Sequence, residues 1–355
     1  MSRALGVAVI GGGIGAAHLA EGWAVLPARF QVLAMCDIDE ARRNTLADKF
    51  AIPRRTATFA DVLAMDDVDV VDICTPPSLH RSMIEQALQA GKHVVCEKPL
   101  VGSLDDADAI LAAERVARGK LMPIFQYRWG DGAQKAKRVF DAGLTGTPFM
   151  ATLETHWTRD AAYYATPWRG KWNTELGGAL TSQAIHAHDM LTWLMGPAAR
   201  VFARTATRVN PIETEDCVSV SLLLESGALA TSSVTLGSRE EISRLRICCR
   251  NVTFESSLAP YAFGDEPWRV IPANDDVAAE IEAATAGYRS MGRRFAGQLA
   301  AFHAALEAGG PMPVTSADAR ASLELLTALY DSARRSVDVA LPLGPDHPGY
   351  RGWQA

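Results

Sequence analysis

Near the start of the chain a short apolar run, Val7-Ala8-Val9-Ile10, passes directly into Gly11-Gly12-Gly13-Ile14-Gly15-Ala16 and then into a helical stretch. This order leaves few folds open. An apolar run without polar alternation reads as a strand covered on both faces. A strand, a glycine turn and a helix in immediate succession open a βαβ unit. Read as GxGxxA, Gly11 makes the tight turn, Gly13 lets backbone approach a pyrophosphate, and Ala16 lets the helix pack closely on the strand. The helix, entered at Ile14, offers N–H donors and a positive dipole end to phosphate. Alone, such a motif marks only a tight turn; its place between strand and helix makes a dinucleotide the expectation.

The alternation continues. Phe30 to Cys36, Val68 to Cys74, His93 to Cys96 and Leu121 to Phe125 read as strands. Ile14 to Ala28, Asp39 to Phe50, His80 to Ala90 and Ser103 to Arg118 read as helices. Short connections in a βαβαβ order predict an α/β domain, a doubly wound parallel sheet of Rossmann type, over residues 1–126. At 355 residues the chain is too long for one ordinary domain, and after about Arg128 its texture changes. A helix from Gln134 to Ala142 leads into a strand from Phe149 to His156, a long aromatic loop and a helix containing His186. From Arg200 to about Val270 the pattern is mostly strand, and Glu225-Ser226-Gly227 between Cys217–Leu224 and Ala228–Leu236 signals a hairpin. Residues 127–340 are therefore expected to form an α+β domain with a large, open, mainly antiparallel sheet, ending in helices Glu280 to Ala308 and Ser316 to Val337. Residues 341–355 form a Pro/Gly-rich tail, either disordered or docking Tyr350 and Trp353 on a neighbouring surface.

Charge and composition exclude several function classes. The formal net charge is −6 with acids and bases interspersed, which gives no footprint for nucleic acid or an anionic membrane surface. No apolar run is long enough to span a bilayer, and the N-terminal apolar stretch is too short for a signal peptide. Cys36, Cys74, Cys96, Cys217, Cys248 and Cys249 include no CxxC pair. They read as buried reduced thiols, so a cytoplasmic location is expected.

Asp37 ends the second strand, where an acidic residue accepts hydrogen bonds from adenosine ribose hydroxyls. A carboxylate there repels a 2′-phosphate, so NAD is expected in preference to NADP, although Arg42 and Arg43 leave room for NADP. Asp37 also reads as a helix N-cap, a role that Asp39 can fill by itself.

A specific resemblance begins at Asp72-Ile73-Cys74-Thr75-Pro76-Pro77-Ser78-Leu79-His80 and Gly91-Lys92-His93-Val94-Val95-Cys96-Glu97-Lys98-Pro99-Leu100. It continues through Gln126-Tyr127-Arg128, Gly143 to Pro148, Gly177-Gly178-Ala179-Leu180, His186 to Gly196 and Glu215-Asp216. With these runs the chain resembles the glucose–fructose oxidoreductase, inositol dehydrogenase and rhizopine-catabolism group, the Gfo/Idh/MocA family, over nearly its whole length. The resemblance implies that Thr75, Pro76, Pro77, His80, Glu97 and Gln126 join Gly11, Gly13, Ile14 and Asp37 around a nicotinamide dinucleotide. It also implies that Lys98 reaches both the nicotinamide and a substrate hydroxyl. Lys98 falls at the C-terminal end of a parallel strand, where ligands bind in open α/β sheets. There it places a cationic donor where an alkoxide develops during hydride transfer, and it could relay the proton if its pKa were lowered. Pro99 is expected to fix the turn, with a cis bond common in the family.

The second constellation is Ser182-Gln183-Ala184-Ile185-His186-Ala187-His188-Asp189. On a helix Ser182, His186 and Asp189 share a face and His188 points elsewhere. By resemblance His186 is the family histidine, a general base on a hydroxyl, with Asp189 to orient or charge-stabilise it. In the inositol dehydrogenase branch an Asp at the position of Ser182 works with the histidine and lysine; here the carboxylate is absent. A structural place in the core is expected for His188. His156, His186, His188 and Asp189 include a His-x-His-Asp run, but residues two apart diverge on a helix, and no metal is expected. The loop from Tyr163 to Trp172 is dense in aromatics and bases, suited to sugar rings, nicotinamide or phosphate, and equally to core packing. By resemblance Trp168 and Arg169 match a cofactor-contacting pair, while Arg128, Trp172 and Ser182 join Lys98 and His186 around the substrate.

Together these expectations describe an NAD(H)-dependent dehydrogenase acting on a hydroxyl-bearing carbon of a sugar, cyclic polyol or glycoside, with substrate between Lys98 and the His186 helix. Homo-oligomerisation through the open sheet, as dimer or tetramer, is implied by the family. Two alternatives stand beside it: an enzyme that retains NAD and cleaves a glycosidic bond through transient oxidation, and a non-catalytic NAD-dependent sensor. The retained lysine and histidine argue against the sensor.

Overall fold

The structure, a computed structural model, describes residues 3–353. The chain divides into two compact units.

The first unit comprises residues up to Gln126 together with Met291–Arg320. Its sheet holds β1 (Leu5–Ile10), β2 (Phe30–Cys36), β3 (Arg54–Thr56), β4 (Val70–Ile73), β5 (His93–Cys96) and β6 (Leu121–Pro123) in the order β3-β2-β1-β4-β5-β6. Every pairing is parallel. Val7, Ala8, Val9, Val70, Val71, Val94 and Val95 are wholly buried, as strands covered on both faces require. The intervening helices are α1 (Gly15–Glu21), α2 (Glu40–Lys49), α3 (Phe59–Leu63), α4 (His80–Gln89) and α5 (Leu104–Val116). Asp39 caps α2 by accepting from the Arg42 N–H at 3.0 Å, and Ser103 caps α5 by accepting from that of Asp106.

The first helix is shorter than its pattern predicts. It stops at Gly22, and Trp23 to Val25 form one 3₁₀ turn. A Cβ at Gly22 would lie 2.7 Å from Leu299 Cδ1, so the helix Arg294–Ala308 packs where a longer α1 would run. The expected helix from Glu280 to Ala308 is two helices. Asp275–Ala286 begins earlier, at the cap Asn274, and ends at Gly287, and the chain resumes helix only at Arg294 after Gly292 at φ +108°. That second helix belongs to the first unit, although the sequence reading ran the second domain unbroken from 127 to 340. The reason is local: Gln298 accepts from Phe125 N at 3.1 Å and donates to Pro123 O at 2.7 Å, closing the open edge at β6.

The second unit comprises Tyr127–Ser290 and the chain from Ala321. Its strands are β7 (Pro148–Thr158), β8 (Ala198–Ala206), β9 (Cys217–Leu224), β10 (Leu229–Thr235), β11 (Gly237–Cys249), β12 (Val252–Glu255), β13 (Arg269–Pro272) and β14 (Val339–Ala340). They form one sheet in the order β13-β12-β11-β7-β10-β9-β8-β14. Only β7 and β10 pair in parallel; the other pairings are antiparallel. The hairpin turn places Gly227 at φ +84°, and Leu223 pairs with Leu229 beside it. Strict alternation along β7 turns Ala151, Leu153, Thr155 and Trp157 to the buried face, against which the helix Ile185–Met195 packs. The opposite face carries Thr152, Glu154, Ser219, Ser221, Thr231 and Ser233. The tail docks: Trp353 is buried, stacks on Tyr330 at 6.2 Å and donates from Nε1 to Leu176 O at 2.5 Å. Gln354 and Ala355 lie outside the described residues. Among the described residues no helix is long and apolar enough to cross a membrane.

Candidate active site

The strand registers of the first sheet set Cys36, Ile10, Ile73, Cys96 and Pro123 side by side. The residues that follow, Asp37, Gly11, Cys74, Glu97 and Ile124, therefore share one carboxyl-terminal edge. The sheet order reverses between β1 and β4, which makes this edge the crevice where open α/β sheets bind ligands. Gly11 takes φ +92°, and a Cβ there would lie 2.7 Å from Cys74 O, so the turn admits only glycine. At Gly13 a Cβ would meet nothing within 4 Å, leaving open space over the α1 N-terminus. The close helix–strand approach falls at Gly15, where a Cβ would lie 3.0 Å from Val9 Cγ1. The sequence reading placed that contact at Ala16, one residue later. Ile14 is exposed at the mouth.

Asp37 is not a cap. Its Oδ2 accepts from Gly12 N at 2.7 Å and from Arg42 Nε at 2.8 Å, and its Oδ1 accepts from Asp39 N at 2.8 Å. Burial opposes its charge, but Arg42 and the two backbone N–H groups hold the carboxyl below its ordinary range. Arg43 donates to the Asp37 carbonyl at 2.7 Å. A ribose diol meeting Asp37 thus meets an ionised carboxylate. Gln126, at the far end of the same edge, is buried with Oε1 lacking a partner. The glycine cradle, an ionised Asp37 and an unmatched buried acceptor fit a dinucleotide.

Thr75 and Pro76 follow β4 and lead into a 3₁₀ turn, Pro77–Leu79, that runs into α4. His80 was expected among the cofactor contacts. It is wholly buried, with Nδ1 3.0 Å from Pro99 O and Nε2 2.9 Å from Thr75 O. Both nitrogens face backbone carbonyls, and burial holds its pKa below the ordinary range, so the neutral ring donates to one of the two and packs between the loops that follow β4 and β5. Glu97 receives His18 Nε2 at 2.9 Å on Oε1 and the Lys98 N–H at 3.0 Å on Oε2. The Lys98–Pro99 peptide is cis.

In the second unit the helix-face expectation holds only in part. Leu180–Ala184 is a π-helical turn, and regular α-helix begins at Ile185. The wider turn takes Ser182 off the i, i+4 spacing that would set it over His186, while His186 and Asp189 keep α-helical spacing. His186 is buried and stacked on Tyr127, ring centroids 4.3 Å apart and planes at 19°. Asp189 was expected to serve His186 and Arg128 to serve the substrate. The two are clamped together, Arg128 Nε to Oδ2 at 2.8 Å and Nη2 to Oδ1 at 2.6 Å, both buried. His188 has a core place, as expected: Nε2 meets Ser232 Oγ at 3.0 Å, and burial pushes its pKa down to about 4. His156 instead meets Ser233 Oγ at 2.9 Å.

The aromatic loop turns inward. Arg169 lies over the rings of Tyr163 at 4.1 Å and Trp168 at 4.4 Å. Trp172 donates to Glu213 O at 3.0 Å and sets its edge on Tyr330 at 5.4 Å. The residue that sequence reasoning missed is Glu175. It is buried and accepts from Ser182 Oγ at 2.7 Å, Gly170 N at 2.5 Å and Arg169 Nη1 at 3.1 Å. A carboxylate therefore stands one hydrogen bond away from position 182, delivered by a loop seven residues earlier. No periodicity or motif marked it. Glu215, two residues before β9, is likewise buried and accepts from Gly178 N, Leu180 N and Tyr330 Oη.

Comparison with known proteins agrees with this architecture. Residues 5–125 match the family model of an oxidoreductase family, NAD-binding Rossmann fold, and residues 133–255 match the GFO/IDH/MocA C-terminal domain. An uncharacterised oxidoreductase, YrbE of Bacillus subtilis, is 31% identical over 236 residues, 65% of this chain and 67% of its own. D-apiose dehydrogenase of Paraburkholderia graminis is 28% identical over 268 residues, 69% of this chain and 70% of its own. The crystal structure of the WlbA dehydrogenase from Bordetella pertussis, in complex with NADH and UDP-GlcNAcA, superposes with a TM-score of 0.84 at 28% identity, covering 96% of this chain and 100% of that one. A glycine turn that only glycine can make, an acidic end to β2 and matched domains on both sides of Gln126 all point the same way: the chain belongs to the GFO/IDH/MocA family of oxidoreductases, and its first unit is that family's NAD-binding Rossmann fold.

Proposed function

We propose that this chain is an NAD-dependent dehydrogenase that moves hydride between nicotinamide and a hydroxyl-bearing carbon of a sugar or cyclic polyol. The observation that carries the reading is the position of Lys98, on the carboxyl edge of the same sheet that presents the glycine cradle, with its backbone held through Glu97. Bound NAD supplies the hydride acceptor. As the substrate C–H bond breaks, negative charge gathers on the hydroxyl oxygen, and the Lys98 ammonium stabilises it. His186 takes the hydroxyl proton as general base, its ring plane set by Tyr127. Glu175, acting through Ser182, supplies the carboxylate that the resemblance places at position 182. Asp189 neutralises Arg128 and so holds the start of the second unit against the helix Ile185–Met195.

Relatives named D-apiose dehydrogenase, levoglucosan dehydrogenase and inositol 2-dehydrogenase support a sugar or polyol as substrate. The buried, ionised Asp37 favours NAD over NADP. The polar outer face of the eight-stranded sheet, lined by serine and threonine, is the surface through which copies associate as a dimer or tetramer. Six free thiols, with no disulfide among them, suit the cytoplasm.

The test is NADH formation at 340 nm across a panel of sugars, cyclic polyols and glycosides, for the wild type and Lys98→Met. Turnover should fall by several orders of magnitude in the variant while NADH binding persists. A glycoside consumed with no net accumulation of NADH would replace net oxidation by transient oxidation, in which the bound cofactor is reduced and then reoxidised within each turnover. Turnover undiminished in the variant would remove Lys98 from the chemistry.

A further inference from the structure

His18 lies on the inner side of α1, wholly buried, and both of its ring nitrogens face carboxylates. Nδ1 is 3.0 Å from Asp72 Oδ2 and Nε2 is 2.9 Å from Glu97 Oε1. A neutral imidazole has one N–H and can satisfy one of these acceptors, whereas an imidazolium donates to both. Burial opposes that charge most strongly, but Asp72 and Cys74 together outweigh it, and the ring is held well above its ordinary range. Cys74 Sγ is 3.4 Å from Nδ1, its thiol pushed up by burial. The Phe295 ring packs at 4.3 Å, and Trp23 Nε1 donates to Asp72 Oδ2 at 2.7 Å. Asp72 is thereby fixed from two sides on β4, and it anchors the ring that reaches Glu97 beyond β5.

We propose that His18 is a positioning residue for the reaction: by bridging Asp72 to Glu97 it fixes the carboxylate that holds the Lys98 N–H, and so sets the point from which the Lys98 side chain leaves the sheet. The inference deepens the proposed function and rests on its reading of Lys98. Glu97 has its Oε1 on His18 and its Oε2 on the Lys98 N–H, so the carboxylate cannot turn without releasing one of them. On the far side of Lys98, the His80 ring packs against the turn, with Nδ1 3.0 Å from Pro99 O. A lysine has four side-chain rotors, and fixing its base narrows where its ammonium can stand. Displacing a catalytic group by about 1 Å costs on the order of a hundredfold in rate. His18 stands one turn into α1, and its two ring nitrogens face Asp72 and Glu97, not the glycine turn that precedes the helix.

The test compares wild type, His18→Gln, Glu97→Gln and the double variant, each with NAD and the best substrate of the panel. We expect His18→Gln to lower kcat by about tenfold to a hundredfold, with the NADH dissociation constant, read by fluorescence, changed less than about threefold. The two substitutions break one link, so the double variant should be little worse than Glu97→Gln alone. Unchanged kcat in His18→Gln, or losses that multiply in full, would overturn the proposal. Nitrogen NMR of histidine-labelled wild type needs no variant and stands even if His18→Gln fails to fold. The ring should remain doubly protonated near pH 8, and a neutral ring there would overturn the bridge. A wild type that turns over nothing on the panel defeats the proposed function, and the NMR titration then decides the bridge by itself.

Discussion

Replacing Glu215 by Gln isolates one buried proton. The carboxyl is 3% exposed, with Gly178 N at 3.1 Å, Leu180 N at 2.9 Å and Tyr330 Oη at 2.9 Å. Withdrawal from water pushes its pKa up from 4.5 to about 7, with these hydrogen bonds pulling the other way. Between those two values the folded protein holds a proton that the unfolded chain has released. The resulting stability is fully present below 4.5 and is lost as pH rises through 7. That interval corresponds to about 3 kcal/mol. The glutamine keeps a carbonyl oxygen for the backbone N–H groups and does not titrate. Urea unfolding across pH 4.5 to 8 should therefore show the wild type losing about 3 kcal/mol more than Glu215→Gln. Trp172 and Trp353 lie 5.4 and 6.2 Å from the Tyr330 ring, so tryptophan fluorescence reports on this region. His188, pushed down to about 4 by burial, acts with the opposite sign, since stability rises as its unfolded form loses a proton. It is common to both proteins and cancels in the difference. Parallel pH curves would refute the reasoning and mean that the three donors keep Glu215 ionised in the fold.

Three further outcomes follow from single sites. Asp37→Ala removes the carboxylate that repels a 2′-phosphate and frees Arg42, now 2.8 Å away; the NADP-to-NAD ratio of kcat/KM should rise at least about tenfold, and an unchanged ratio would acquit Asp37 of selectivity. Trp353→Ala empties a buried site against Tyr330 and breaks the bond to Leu176 O; it should cost about 3–5 kcal/mol of unfolding free energy, and a loss within about 0.5 kcal/mol would show the tail does not dock. Gly11→Ala forces a Cβ to 2.7 Å from Cys74 O at φ +92°; NADH affinity, measured by fluorescence, should fall by at least about tenfold, and wild-type affinity would show the turn tolerates a side chain.

What could be read in the sequence was what repeats or what geometry forces. Apolar runs gave the parallel strands, and Glu225-Ser226-Gly227 gave the hairpin, because each depends on a few adjacent residues. The π-helical turn at Leu180–Ala184 could not be read, because a single extra residue per turn leaves no mark in apolar spacing. The break at Gly22 was hidden for a related reason: a lone glycine inside a helical pattern is tolerated unless a neighbour packs against it, as Leu299 does there. Within the candidate site, Gly11, Asp37 and Glu97 were visible because motif and strand end coincide. The clamp between Arg128 and Asp189 joins residues 61 positions apart, and His18 meets Glu97 across 79. Such pairings are chosen by the register of strands and helices, which no local window contains.

The pair Ser182 and Glu175 admits a sharper test, because the two side chains have divided one job. Ser182 Oγ gives its single proton to Glu175 Oε1 at 2.7 Å, and Glu175 also holds Gly170 N and Arg169. Replacing Ser182 by Asp removes that donor and sets two carboxylates at hydrogen-bonding distance in a place only partly open to water. Both cannot remain ionised there, so one must take a proton or the loop must open. Ser182→Asp should therefore lower kcat/KM by about tenfold or more and lower the unfolding midpoint, at a cost in the range of about 1–3 kcal/mol for an unpaired buried polar group. Glu175→Gln alone keeps shape but removes the charge, and its loss should fall on kcat rather than on stability. The double variant moves the carboxylate to position 182 and leaves an amide able to donate to it. It should recover at least about tenfold over Ser182→Asp, a coupling of about 1.4 kcal/mol. A Ser182→Asp enzyme as active as the wild type, or a double variant no better than either single one, would mean the hydroxyl and the carboxylate act independently, and Glu175 would then be a loop anchor for Arg169 and nothing more.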